Sequence, residues 1–186
     1  VSAGPDRPLA LIGARGAGKS TVGRLVAARL GRPFVDLDDA VKAQGQRAGL
    51  SAASAGELLA RIGAARFRAL EATALRLLLE PGARIVLATG GGVVEHADSR
   101  AWLHRCAFTL FLSVPVDVLQ QRLRSDPTPR PSLTGADPVD EVAAVLARRE
   151  ATYRALADLV VECGAEGAEA VASRVLEACS GSGPVR

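Results

Sequence analysis

The most specific chemistry in this sequence lies near its start, in Gly13-Ala14-Arg15-Gly16-Ala17-Gly18-Lys19-Ser20. The spacing is GxxxxGK[ST], whose glycines let successive backbone N–H groups turn inward around phosphate oxygens. The lysine then reaches the β and γ phosphates, and the serine hydroxyl holds Mg²⁺. Apolar residues from Pro8 to Gly13 read as a buried strand entering the loop. Lys19 to Leu30 reads as a helix leaving it, with Val22, Leu25, Val26 and Leu30 on one side and Gly31 at its end. The start of that helix would direct its positive end at the same phosphates. The nucleotide-binding set is therefore Gly13, Gly16, Ala17, Gly18, Lys19, Ser20 and Thr21, with Thr21 read as a helix residue and not as a second metal ligand.

A metal acid is missing from its usual place, because Arg84 to Ala88 runs into Thr89-Gly90-Gly91-Gly92 and not into a carboxylate. Asp36, Asp38 and Asp39, after the second predicted strand, are the alternatives. If the strand continues, side-chain alternation puts Asp36 and Asp38 on one side, one to serve magnesium and the other a substrate hydroxyl. Asp39 reads as a helix cap. Gly90, Gly91 and Gly92 form either a hairpin or a substrate wall presenting backbone N–H groups. Arg68 and Glu71 are three apart on a predicted helix and share a face, as a surface ion pair or as a positioned one. Arg149, four residues before Tyr153, reads from composition alone as a solvated charge. His96 and His104 read as capping or surface residues, and no thiol chemistry is expected of Cys106, Cys163 or Cys179.

Positioning these residues requires a regular scaffold. Strands are predicted near residues 8–13, 34–37, 84–88, 108–113 and 159–163. Between and after them come helices near 19–30, 57–80, 99–104, 116–124, 139–157 and 168–178. Apolar strands alternating with amphipathic helices specify an α/β fold of three layers around a five-stranded parallel sheet, as one domain over residues 1–186. Lys42 to Gly56 is small, polar and glycine-rich and reads as a surface loop. Ser125 to Asp137 reads as a mobile flap bracketed by Arg124 and Arg130.

Composition narrows the partners. The 186 residues suit about one domain. Hydrophobic residues at 48% supply one core, and a net charge of +3 is too small to imply nucleic acid. Aromatics at 3% cannot build a run of base-stacking platforms. Three cysteines without a CxxC pair fit a reducing compartment. No signal peptide or membrane span is expected, so the expected location is the cytoplasm, and the chain is expected to be a monomer.

Taken in order, GARGAGKST (13–21), FVDLD (34–38), FRALE (67–71), TGGG (89–92), RPSL (130–133) and REATY (149–153) resemble the shikimate kinase family. These are small P-loop kinases similar to nucleoside monophosphate kinases. The resemblance runs from about residue 8 to residue 178 and implies an NMP-kinase-like fold with a substrate-binding helical segment over 40–80 and a mobile lid over 124–137. It implies transfer of the ATP γ-phosphate to the 3-hydroxyl of shikimate, on the route to chorismate and aromatic amino acids. By the same resemblance Lys19 and Ser20 bind phosphate and magnesium, Asp36 assists the metal, and Asp38 orients or deprotonates the attacking hydroxyl. Arg68 and Arg149 take the shikimate carboxylate, Gly90 to Gly92 lie against the ring, and Glu71 fixes Arg68. Arg130 closes over ATP, and Arg124 packs near adenine. The chain departs from the family in a longer spacing from Asp38 to Arg68, with the extra length in Gly45 to Ser54, and in Lys42, Ala64 and Ser132. These bear on the acceptor, for which gluconate, an aminoshikimate or a cyclitol is the alternative.

Overall fold

The computed structural model describes residues 6–125 and 137–180. At its centre is β1 (Leu9–Ile12), whose four side chains are wholly inaccessible to water. Burying each of the larger ones stabilises the fold by about 1.5–3 kcal/mol. Around it lie β2 (Phe34–Asp36), β3 (Val86–Ala88), β4 (Phe108–Ser113) and β5 (Leu159–Glu162) in the order β2-β3-β1-β4-β5, every pair parallel. Among the described residues, eight α-helices connect or follow the strands: α1 (Lys19–Leu30), α2 (Leu37–Arg47), α3 (Ala55–Ile62), α4 (Ala64–Leu78), α5 (Ala97–Cys106), α6 (Val116–Ser125), α7 (Pro138–Leu156) and α8 (Ala168–Ser180).

The crossovers sort these helices into layers. A parallel sheet requires right-handed connections, and the chain steps one way from β1 to β2 and the other way in every later connection. Hence α1 and α8 pack together over one face. On the other face α4 meets α5, α5 meets α7, and both α5 and α7 touch β4. This is the expected three-layer α/β fold. Phe111 of β4 stacks on Tyr153 of α7 with ring centroids 5.1 Å apart, which fixes α7 against the sheet.

Three local expectations are revised. The extended conformation ends at Asp36, not at Leu37, because the Asp36 carboxylate accepts a hydrogen bond from the Asp38 N–H at 3.0 Å and caps α2. That helix then runs to Arg47, so Lys42 to Gly56 is not one surface loop. Gly45 is buried within α2, and a Cβ there would stand 2.9 Å from Leu58 Cδ2. The close approach packs α3 against α2, and α3 itself opens on the Ser54 hydroxyl, which accepts from the Glu57 N–H at 3.1 Å. Finally, the helical stretch 57–80 is two helices, divided at Gly63. The flap expected over Ser125 to Asp137 lies, apart from its two ends, outside the described residues.

Candidate active site

A cleft of about 570 Å³ opens beyond the carboxyl ends of the strands, where open parallel sheets bind ligands. Its volume falls within the range of small-molecule sites. The floor is the loop between β1 and α1. Gly13 there has φ of 144°, and a Cβ on it would stand 2.9 Å from the Leu112 carbonyl oxygen, so neither the conformation nor the space admits a side chain. Lys19 is largely buried and folds back over the loop, its ammonium donating to the carbonyls of Gly13 at 2.9 Å and Ala14 at 2.8 Å. A phosphate entering the loop would meet the amino end of α1 and the Lys19 ammonium together.

Beside the loop, the Ser20 hydroxyl donates to Asp36 Oδ2 at 2.7 Å. Hard oxygen donors on one cleft wall suit magnesium. No group of three or more His, Cys, Asp or Glu side chains among the described residues could hold a metal. Magnesium at this wall would therefore complete its shell with phosphate oxygens and water. Asp38, the second residue of α2, also lines the cleft. The residue as a whole is exposed, while withdrawal of its carboxyl from bulk water and the charge of Asp36 raise its pKa, against the pull of Lys19 and Arg68. The two acids do share the cleft, though through a capped helix start and not through strand alternation.

A further wall is built from α4, α7 and the glycine run after β3, which packs against the phosphate loop at Gly91. Arg68 NH1 donates to Glu71 Oε2 at 2.9 Å, and Glu71 is fully buried. Burial pushes the Glu71 carboxyl up to about 7 despite the neighbouring guanidinium of Arg68. Arg149, 7% exposed, donates through NH1 to the Gly91 carbonyl at 3.2 Å. The same carbonyl accepts from the Tyr153 hydroxyl. Gly92 lies under the guanidinium of Arg68, so closely that a Cβ would fall 1.7 Å from NH2. A Cβ on Gly90 would stand 3.0 Å from both Asp38 Oδ1 and Glu71 Oε1, so the glycine run borders the two acids as well as the two arginines.

Most residues singled out in the sequence thus converge. Gly16 to Thr21, Asp36, Asp38, Arg68, Glu71, Gly90 to Gly92 and Arg149 all line the cleft, while Gly13 supports it from below through its carbonyl. Arg124 does not take part. It is exposed on α6 and absent from the cleft lining. Two residues earlier, Arg122 turns inward and donates to Gly16 O at 3.4 Å and Gly164 O at 3.2 Å. Together with Cys163 to Gly167 it walls the side of the cleft beyond the phosphate loop. Arg130 lies outside the described residues. Sequence reasoning also missed Glu95, the acid three positions after the glycine run, which pairs with both Arg68 and Arg149.

The family model described as Shikimate kinase matches residues 15–180. The shikimate kinase of Oleidesulfovibrio alaskensis is 43% identical over 175 residues, covering 93% of this chain and 97% of that protein. The shikimate kinase of Nitratidesulfovibrio vulgaris is 46% identical over 155 residues, covering 81% and 83% respectively. Among solved structures, shikimate kinase from Acinetobacter baumannii in complex with shikimate superimposes with a TM-score of 0.80 at 31% identity, over 92% of each chain. Similarity on this scale, spread over a chain whose phosphate loop and arginine-lined wall face one cleft, places the protein in the shikimate kinase family.

Proposed function

We infer that this protein transfers the γ-phosphoryl group of ATP to the 3-hydroxyl of shikimate, a step toward chorismate and the aromatic amino acids. The observation that carries the reading is the placement of Arg68 and Arg149 in the wall of the same cleft that the phosphate loop lines. Two forked guanidiniums beside glycine backbone suit a planar carboxylate on a small ring. A neutral acceptor would offer no carboxylate to that pair.

On this reading Lys19 and the loop N–H groups hold the ATP phosphates, and Ser20 with Asp36 holds magnesium. When bound, the ion neutralises charge on the β and γ phosphates. Asp38 accepts the hydrogen bond of the attacking hydroxyl and takes its proton as the oxygen bonds to the γ-phosphorus and ADP departs. Its raised pKa brings it nearer to the range in which a base accepts a proton usefully. Arg68 and Arg149 fix the acceptor carboxylate, which aims the hydroxyl along the line of attack. The reading assigns Arg130 to the transferring phosphoryl group, residues 124–137 to a lid, residues 40–80 to acceptor binding, and Arg122 in place of Arg124 to the nucleotide. It also places the protein in the cytoplasm, where its three free thiols persist.

The test is ATP-dependent phosphorylation measured with shikimate, quinate, gluconate and a neutral cyclitol, for the wild type and Arg149→Ala. Shikimate should be the preferred acceptor, and Arg149→Ala should raise its KM by about 10- to 100-fold, the loss of about 1.4–2.8 kcal/mol of charge-assisted binding. Preferential turnover of the neutral cyclitol by the wild type would overturn the assignment.

A further inference from the structure

Glu95 ends a single 3-10 turn, Val93–Glu95, that follows the glycine run. Its Oε1 accepts from Arg149 Nε at 3.0 Å and NH2 at 2.6 Å, and its Oε2 accepts from Arg68 NH2 at 3.1 Å. One carboxylate thus spans both guanidiniums with one oxygen toward each. That is the arrangement the reading above assigns to the acceptor's carboxylate, and the inference below rests on that reading.

The surroundings favour exchange over permanent attachment. The Arg68 and Arg149 side chains are 13% and 8% exposed, whereas Glu95 stands at the rim with 42% of its side chain in water. Guanidiniums so far withdrawn from solvent require a counter-charge, and Glu95 supplies it. The backbone of the turn is anchored separately by buried Val93 and Val94, so the carboxylate can swing outward while the turn stays in place. Charge gives the same direction. With Glu95 paired to both guanidiniums and Glu71 beside Arg68, much of the positive charge of the two arginines is offset and their net pull on an anionic acceptor is reduced. Rotating Glu95 into water restores a positive charge at the clamp.

We propose that Glu95 is an internal carboxylate that occupies the clamp of Arg68 and Arg149 in the empty site and gives way to the carboxylate of the acceptor. It is a positioning residue: it keeps both guanidiniums in the geometry of the bound state and, by competing for them, sets the affinity for carboxylated acceptors.

Steady-state kinetics and calorimetric titration with shikimate test this on Glu95→Gln, Glu95→Ala and Arg149→Ala beside the wild type. Glu95→Gln preserves shape and removes the charge; Glu95→Ala removes the competing oxygens as well. Both should lower KM and Kd for shikimate by about three- to tenfold, with the change in KM and not in kcat. Both should also lower the thermal midpoint of the free enzyme while enlarging the increase that shikimate produces. A raised or unchanged Kd in both variants, with Arg149→Ala still weakening shikimate binding at least tenfold, would make Glu95 a fixed strut and overturn the proposal. If Arg149→Ala leaves shikimate binding intact, the clamp reading itself fails and the exchange falls with it.

Discussion

Glu71 shows what a buried acid contributes when it is paired with one arginine. One carboxylate oxygen accepts from Arg68, and the other is buried without a hydrogen bond. Burial lifts the group to about 7 in the folded protein, whereas an unfolded glutamate titrates near 4.3. The native state therefore holds the extra proton between about pH 4.3 and 7, so this group's contribution to stability is full below that window and is lost as pH rises through it. The span corresponds to no more than about 4 kcal/mol. Glu71→Gln keeps an oxygen for Arg68 and cannot ionise. Denaturant unfolding at pH 5 and pH 8 should show the wild type losing stability relative to Glu71→Gln; parallel behaviour of the two proteins would contradict the buried-acid account. The phosphate loop was legible residue by residue because its spacing is itself the mechanism. Arg122 was not distinguishable from Arg124, since choosing between residues two apart on a helix requires knowing which face meets the loop. Glu95 was missed because an acid on a short turn carries no periodic signal.

At the scale of elements, the turn from β3 into the 3-10 segment governs the acceptor wall. Gly92 has φ of −98°, a value that any residue adopts, so its requirement is space and not conformation. Arg68 rests directly over it, with NH2, Cζ and NH1 all within 3 Å of where a Cβ would stand. Because the obstructed atoms end a long side chain, Gly92→Ala should displace the guanidinium and leave the sheet intact. The expected result is a KM for shikimate raised at least about tenfold with a thermal midpoint within a few degrees of wild type. A midpoint lowered by 10 degrees or more would show that the glycine serves the fold instead. The succession of strands and helices could be read in advance because β1 is a continuous apolar run and β4 a largely apolar one, each between breakers. The stretch from Lys42 to Gly56 could not, since KAQGQR lacks an apolar stripe and its helix depends on a cap supplied by Asp36 and on packing of Gly45 against Leu58. Tertiary contact there outweighed local composition.

For the whole molecule, the layout of the cleft bears on assembly. The phosphate loop, both acids and both arginines that line the cleft all lie on one chain. Among the described residues, Leu77 on α4 is the large hydrophobic side chain left exposed, at 51%. A stable homodimer buries on the order of 800 Å² per partner around an apolar centre, which one leucine does not provide. The net charge of +3 opposes self-association weakly, and the exposed ion pairs, such as Arg76 with Asp98, are satisfied within the chain. We propose on this ground that the protein acts as a monomer. Light scattering should return a mass near 19.2 kDa, and specific activity should be constant as the enzyme is diluted from micromolar to nanomolar concentration. A doubled mass, with activity falling on dilution, would mean that a second copy completes the cleft, and the roles given to Arg68, Arg149 and Glu95 would then have to be tested in the dimer.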